Sequence, residues 1–292
     1  MRHLIIGSGA MIAFKFIGIL KYLKDQGHLE DVKEISSASS GSIIAAFFVL
    51  FKGDVDRLVK FMISVNIKDY TKIHVKNFIK TWGLIDSSNV KKLLDENGLR
   101  NMTFRELYEW FPIKLHISAF DIVTKRTIYM SIDTFPDMDV STAIMYSVSV
   151  PFLFSPSEGR YIDGSTIESN PGAPFLGLND VFEIRTDDSF STKKEIKSLF
   201  DYLLTIIVCF ITNRIKFQDF NRIEVPIDFD IFEFSMTSEK KQELYLNGYQ
   251  LAALQIPNLL CNPEIHHLKC CTDDQPEIED SPDPQMQCDP VS

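Results

Sequence analysis

Three things are scarce in this chain, and each scarcity narrows what it can do. Basic residues are nowhere concentrated. The formal net charge is −10, and a nucleic-acid binder needs a dense basic face, so nucleic acid is disfavoured as a partner. Long apolar runs are also missing. The segment that tests this, "YLLTIIVCFIT" at 202–212, falls well short of the roughly 20 residues of a spanning helix, and Asp201 and Asn213-Arg214 close it at both ends. It reads as a buried helix, with a surface helix dipping into lipid as the lesser alternative. Cysteines are few and ill-placed for a disulfide framework: Cys209, Cys261, Cys270, Cys271 and Cys288, an odd number gathered late. Cys270-Cys271 beside His266 and His267 fits no zinc spacing, so these read as free thiols and no metal is expected. The start of the chain does not read as a signal peptide. The expected setting is reducing and intracellular, either cytoplasmic or peripheral to a membrane.

What is present is a globular composition, 45% hydrophobic and 24% charged over 292 residues. That length can bury a large core. "RHLIIGSG" reads as a strand emptying into a tight turn. "AMIAFKFIGILKYLKDQG" follows with Ile12, Phe16, Ile19 and Leu20 at helical spacing, stopped at Gly27. "VKEISSAS" reads as a second strand, and "SGSIIAAFFVLFKG" as a helix apolar nearly all round and therefore buried. The alternation predicts a parallel sheet with helices on its faces. Further along, "TFRELYEWF" opens with a capping box from Thr103 to Glu106. "IKLHISAFDI" and "RTIYMSI" suggest a hairpin or adjacent strands. A helix ends before Pro151, "DVFEIRT" and "EVPIDF" read as strands, and "SEKKQELYLNGYQLAALQI" as the last helix. The expected organisation is one domain over 1–260, then an acidic, Pro-rich, disordered tail over 261–292.

Three short segments carry candidate chemistry. "SASSG" (37–41) puts Ser39 between a strand and a helix, where a sharp turn exposes a hydroxyl and the helix N-terminus favours developing negative charge. The competing reading is a plain helix cap. "GSGAM" (7–11) leaves backbone N–H groups able to converge on an anion, either a phosphate or an oxyanion. A nucleotide-binding loop fits poorly, because Ile12 stands in place of the third glycine of G-x-G-x-x-G. "DGSTIESNP" (163–171) offers Asp163 as a base, or only a turn. Serine needs a base, and none of the six histidines sits in a Gly- or Pro-rich loop. His116, inside a strand pattern, reads as structural.

Taken together, these segments resemble the patatin-like phospholipase family, with its Gly-rich oxyanion loop, G-x-S-x-G elbow and D-G-G/A motif. "LIIGSGAMIAFKFIGILKYL", "ISSASSGSIIAA", "SVSVPFLFSP" and "YIDGSTIESNP" agree in order and spacing, and "GLIDSSNVKKLLDENGLRNMTFRELYE" is similar to the family's lid-side helices. The resemblance implies a three-layer α/β/α sandwich with a mostly parallel central sheet. It implies a Ser-Asp dyad of Ser39 and Asp163, backbone oxyanion donors among Gly7, Ser8, Gly9, Ala10 and Ser40, and motif support from Ser37, Gly41 and Gly164. The expected activity is a lipid or phospholipid acyl hydrolase working through a covalent acyl-enzyme, without cofactor, with peripheral membrane contact possible. Alternatives are an acyltransferase on the same dyad and an inactive lipid- or protein-binding module. Four positions depart from the family pattern: Ser37 and Ser165 for small residues, Met11 for a basic residue and Ile12 for a glycine. Lys15, one helical turn on, is a candidate to replace the missing charge.

Overall fold

The computed structural model describes residues 1–73, 78–168, 170–187, 196–212 and 219–261. The first strand, β1 (His3–Ile6), runs through a Gly-containing turn into α1 (Ala13–Asp25), which ends at Gln26 before Gly27 at φ 74°. β2 (Glu34–Ala38) turns directly into α2 (Ser40–Leu50). As its composition demands, α2 is buried on almost every side, packed on β1, β2 and β4 and against α1.

After α2 come α3 (Val55–Ser64), α4 (Phe78–Thr81), β3 (Gly83–Ile85), α5 (Ser88–Leu94) and α6 (Phe104–Trp110). The predicted capping box is formed: Thr103 Oγ1 accepts from the Glu106 N–H, and the Glu106 carboxylate accepts from the Thr103 N–H. β4 (Lys114–Asp121) and β5 (Arg126–Met130) make the expected hairpin. α7 (Val140–Ser147) stops before Pro151, followed by β6 (Phe152–Phe154) and β7 (Tyr161–Asp163). β8 (Val181–Thr186), α8 (Leu199–Thr212), β9 (Asn221–Val225) and α9 (Ser238–Cys261) complete the described chain.

The main sheet runs β5-β4-β2-β1-β8-β9, with β7 also paired to β4. All pairings from β4 to β9 along that order are parallel, and β5 and β7 join β4 antiparallel. This is the predicted α/β/α sandwich with a mostly parallel sheet. One face bears Leu4, Ile6, Ile35, Phe182 and Ile184, and packs with α1 and α2 into the principal core. The other face carries Ile5 and Val181, covered by Phe175 and Phe220.

Three expectations are corrected or left aside. α8 is not a buried helix: Ile207 is covered, but Tyr202 and Cys209 are exposed, so it lies on the surface. Its apolar pattern misled because a one-sided helix and a fully buried one look alike over so few residues. The strand expected at "EVPIDF" is β9, which ends at Val225 because Pro226 cannot continue the ladder. The acidic tail lies outside the described residues, apart from Cys261 at the end of α9. Among the described helices none is long and apolar enough to cross a membrane.

Candidate active site

Ser39 occupies the junction of β2 and α2 with φ 54° and ψ −131°. A non-glycine residue there is strained by about 1–3 kcal/mol and persists only where its surroundings enforce it. Those surroundings are visible. The Ser39 N–H donates to Ser147 Oγ at 2.9 Å, and Ser147 Oγ lies 2.9 Å from Ser42 Oγ, so α7 and α2 together clamp the bend. At Gly41 a Cβ would drive into the Ile6 and Gly7 carbonyls, which is why the position after next must be glycine. Ser37, at the position where glycine is usual, is fully buried and donates its hydroxyl to the His116 carbonyl at 3.1 Å. The extra group is thus hydrogen-bonded rather than stranded.

Asp163 reaches this bend through the register of β4. β2 pairs with β4 as far as Ala38 opposite Ser118; β7 then takes over the same strand, with Asp163 opposite Ala119. Residues more than a hundred positions apart thereby sit on consecutive rungs. The Asp163 N–H donates to the Ser149 carbonyl at 3.0 Å. Its Oδ1 accepts from the Ser165 N–H at 2.9 Å and the Ser165 hydroxyl at 2.6 Å. Gly164 lies so close to Ser118 that a side chain there would displace it.

Ser39, Asp163 and Ser165 line one small cleft of ≈ 40 Å³ with Ser8, Gly9 and Ala10. Not every expected oxyanion donor is available. Gly7 spends its N–H on the Ile184 carbonyl at 2.8 Å, inside the sheet. Met11 likewise donates to the Ile231 carbonyl at 3.1 Å, and Ile12 to the Gly9 carbonyl at 2.8 Å. Ala10 bends through φ 44° just before this tie. Ser40 opens α2, where the helix N-terminus contributes partial positive charge. Lys15 does not serve the loop: its ammonium is bound to Asp228 at 2.8 Å and the Pro226 carbonyl at 3.1 Å. It anchors the 226–234 segment over the site, which supplies Ile227, Ile231 and Phe232 to the cleft.

A second cavity of ≈ 120 Å³ opens from Ser39 and Ser40 and is almost wholly apolar. Met11, Phe14, Phe61, Leu93, Phe154 and Phe234 are among its walls. His116 is structural, as expected: Nε2 lies 3.0 Å from Glu34, the ring meets Phe175 edge-on, and burial holds its pKa down. The sequence reading missed Ser147 and Ser149 as the residues that hold the bend and the acid. Their only signal was a pair of serines at the end of a helix before Pro151.

A family model described as patatin-like phospholipase matches residues 4–176. An uncharacterized protein of Acanthamoeba polyphaga mimivirus is 24% identical over 289 residues, covering 89% of this chain and 95% of the relative. A probable lipid hydrolase of Invertebrate iridescent virus 6 is 24% identical, covering 87% and 88%. Among solved structures, VipD from Legionella pneumophila aligns with a TM-score of 0.55 at 12% identity, over 88% of this chain and 67% of that one. That likeness is one of fold.

Proposed function

This chain belongs to the patatin-like phospholipase family, and on that footing we propose that it is a lipid acyl hydrolase whose nucleophile is Ser39 and whose base is Asp163. One observation carries the reading: a buried serine is held in a strained backbone conformation beside the strand that delivers an aspartate to the same cleft. The viral relative named as a probable lipid hydrolase supports the substrate class.

In this scheme Ser39 Oγ attacks the ester carbonyl while Asp163 takes its proton, so no histidine is needed. The tetrahedral oxyanion faces N–H groups of Gly9 and Ala10 and the first residue of α2, Ser40. Gly7 drops out of the donor set because its N–H is already bonded. Asp163 returns the proton to the departing alcohol, leaving an acyl-enzyme. It then deprotonates water, which attacks the acyl carbon; the acyl–Oγ bond breaks, Asp163 returns the proton to Ser39 Oγ, and the fatty acid leaves. The apolar cavity next to Ser39 suits the acyl chain: each methylene withdrawn from water there contributes about 0.8 kcal/mol.

Labelling with a fluorophosphonate probe tests the nucleophile, and ester turnover tests the pair. Ser39→Ala should abolish labelling, and Ser39→Ala and Asp163→Asn should each lower turnover by about 10⁴-fold or more. Wild-type protein that is folded yet resists the probe would remove the catalytic reading.

A further inference from the structure

The tip of the β4–β5 hairpin, "DIVTKR", is an unusual piece of surface. Ile122 is 41% exposed and Val123 67% exposed, adjacent branched apolar side chains presented to water. The tip is held rigidly in place. Buried Asp121 accepts from the Val123 N–H at 3.0 Å and from the Thr124 hydroxyl at 2.7 Å. It also accepts from the Arg160 guanidinium, at 2.8 Å on one oxygen and 2.5 Å on the other. That guanidinium holds Asp121 well below the usual carboxylate range, so the clamp stays charged. Ile122 adds a backbone bond to the Arg160 carbonyl at 3.1 Å.

A third exposed apolar group joins them from a distant part of the sequence. Trp82, 61% exposed and at φ 58°, lies against the turn that precedes Arg160; a Cβ at Gly159 would sit 3.8 Å from its indole ring. Three exposed cations accompany the three apolar groups: Lys80 before Trp82, and Lys125 and Arg126 after Val123. Glu158, which accepts from the Tyr146 hydroxyl, is an exposed acid in the same turn. In a chain of net charge −10, this local excess of cations is out of character.

The location adds meaning. Asp163 stands opposite Ala119 on β4, which ends two residues further at Asp121, and the turn bearing Ile122 and Val123 follows directly. The patch therefore projects from the same carboxyl edge of the sheet as the cleft that Ser39 and Asp163 line. We propose that Trp82, Ile122 and Val123 form a docking surface for an anionic lipid bilayer. The apolar groups enter the headgroup–acyl boundary, and Lys80, Lys125 and Arg126 face the headgroups. Indole rings favour that boundary, and each basic residue adds attraction to an anionic surface. The choice of a bilayer as occupant rests on the lipid-hydrolase reading; the charge and shape of the patch do not.

The test uses the full chain carrying Ser39→Ala, so that lipid is bound but not consumed. Flotation is measured with vesicles of phosphatidylcholine alone and of phosphatidylcholine with phosphatidylserine. The expected result is preferential binding to the phosphatidylserine vesicles, weakened by added salt. Val123→Asp and Trp82→Ala should each weaken it about tenfold, the loss for one large apolar side chain kept out of the bilayer. Both variants should retain wild-type melting behaviour and, with Ser39 restored, wild-type turnover of a soluble short-chain ester. In a Trp110→Phe background, emission from Trp82 should shift to the blue on vesicle addition. Wild-type-like binding by Val123→Asp would overturn the proposal, as would failure to bind either vesicle. A dimer that Val123→Asp splits would assign the patch to a second copy instead. Probe labelling of wild-type protein without vesicles judges the nucleophile separately. If wild-type protein is labelled but the Ser39→Ala chain does not float, the docking surface alone fails; if the Ser39→Ala chain floats but wild-type protein is not labelled, the nucleophile alone fails.

Discussion

The two faces of the central sheet are built on opposite principles. Under α1 and α2 the sheet offers mostly aliphatic and aromatic side chains, with Ser37 beside Ile6 and Asn221 beside Phe182 as exceptions, and Phe14, Phe16 and Phe47 fill the space above it at nearly zero exposure. The reverse face carries charge. Arg222, Glu183, Ile5, Ser36 and His116 lie in one row across five strands, with Arg185 and Glu224 one step along. Glu183 is fully buried, and burial pushes its carboxyl up to about 7 against the pull of Arg185. Over this row lies a segment with short 3₁₀ turns at Gly164–Thr166 and Ala173–Phe175 rather than an α-helix, tied down by the Ser36 hydroxyl on the Pro171 carbonyl at 2.5 Å. That segment begins with Asp163. The apolar face thus fixes where Ser39 stands, while the polar face holds the segment that begins at Asp163. The two residues proposed as nucleophile and base therefore depend on opposite sides of one sheet.

The division can be broken experimentally, beginning with its largest consequence. Phe47→Ala, on the apolar face, should cost about 3–5 kcal/mol with no dependence on pH, measured by denaturant unfolding. A strong pH dependence in that variant would mean the faces are not separable. Glu183 should behave in the opposite way. Its folded pKa is raised above the ordinary glutamate value of 4.5, so its contribution is fully present below about 4.5 and is lost as pH rises through about 7. Glu183→Gln should therefore stabilise the protein by about 3 kcal/mol at pH 8 and change little at pH 4. Equal effects at both pH values would remove Glu183 from the account. The smallest effect belongs to a polar residue that β2 places on the apolar face, Ser37 beside Ile6. Ser37→Gly removes one buried hydrogen bond and should cost about 1 kcal/mol in unfolding, with probe labelling of Ser39 retained.

Much of the half built around Ser39 is legible in the sequence. The turns after β1 and β2 are local, coded by Gly7, Gly9 and Gly41 and by the apolar runs on either side, so nearest neighbours in the sequence suffice. The capping box at Thr103 and the helix end before Pro151 are local in the same sense. What escaped depends on distant pairing. That β7 continues along β4 where β2 stops, or that β3 and β6 pair in a small sheet of their own, has no local signature. The same holds for the 226–234 segment. Lys15 looked like a spare cation for the oxyanion loop, and only the fold reveals Asp228 as its partner. Gly7 looked like a donor for the same reason: a sequence does not say which N–H the adjoining strand will consume.

One crossing bears on all of this. Gly18 in α1 and Gly248 in α9 face each other so closely that a Cβ on either would strike the other helix's backbone. With no side chain between them, the crossing has no rotamer to adjust and behaves like a rivet. A shift of α9 must be transmitted to α1, whose first turn continues from the loop proposed to hold the oxyanion. The last described helix lies beyond the stretch matched by the family model, yet through this crossing its position is tied to that of α1.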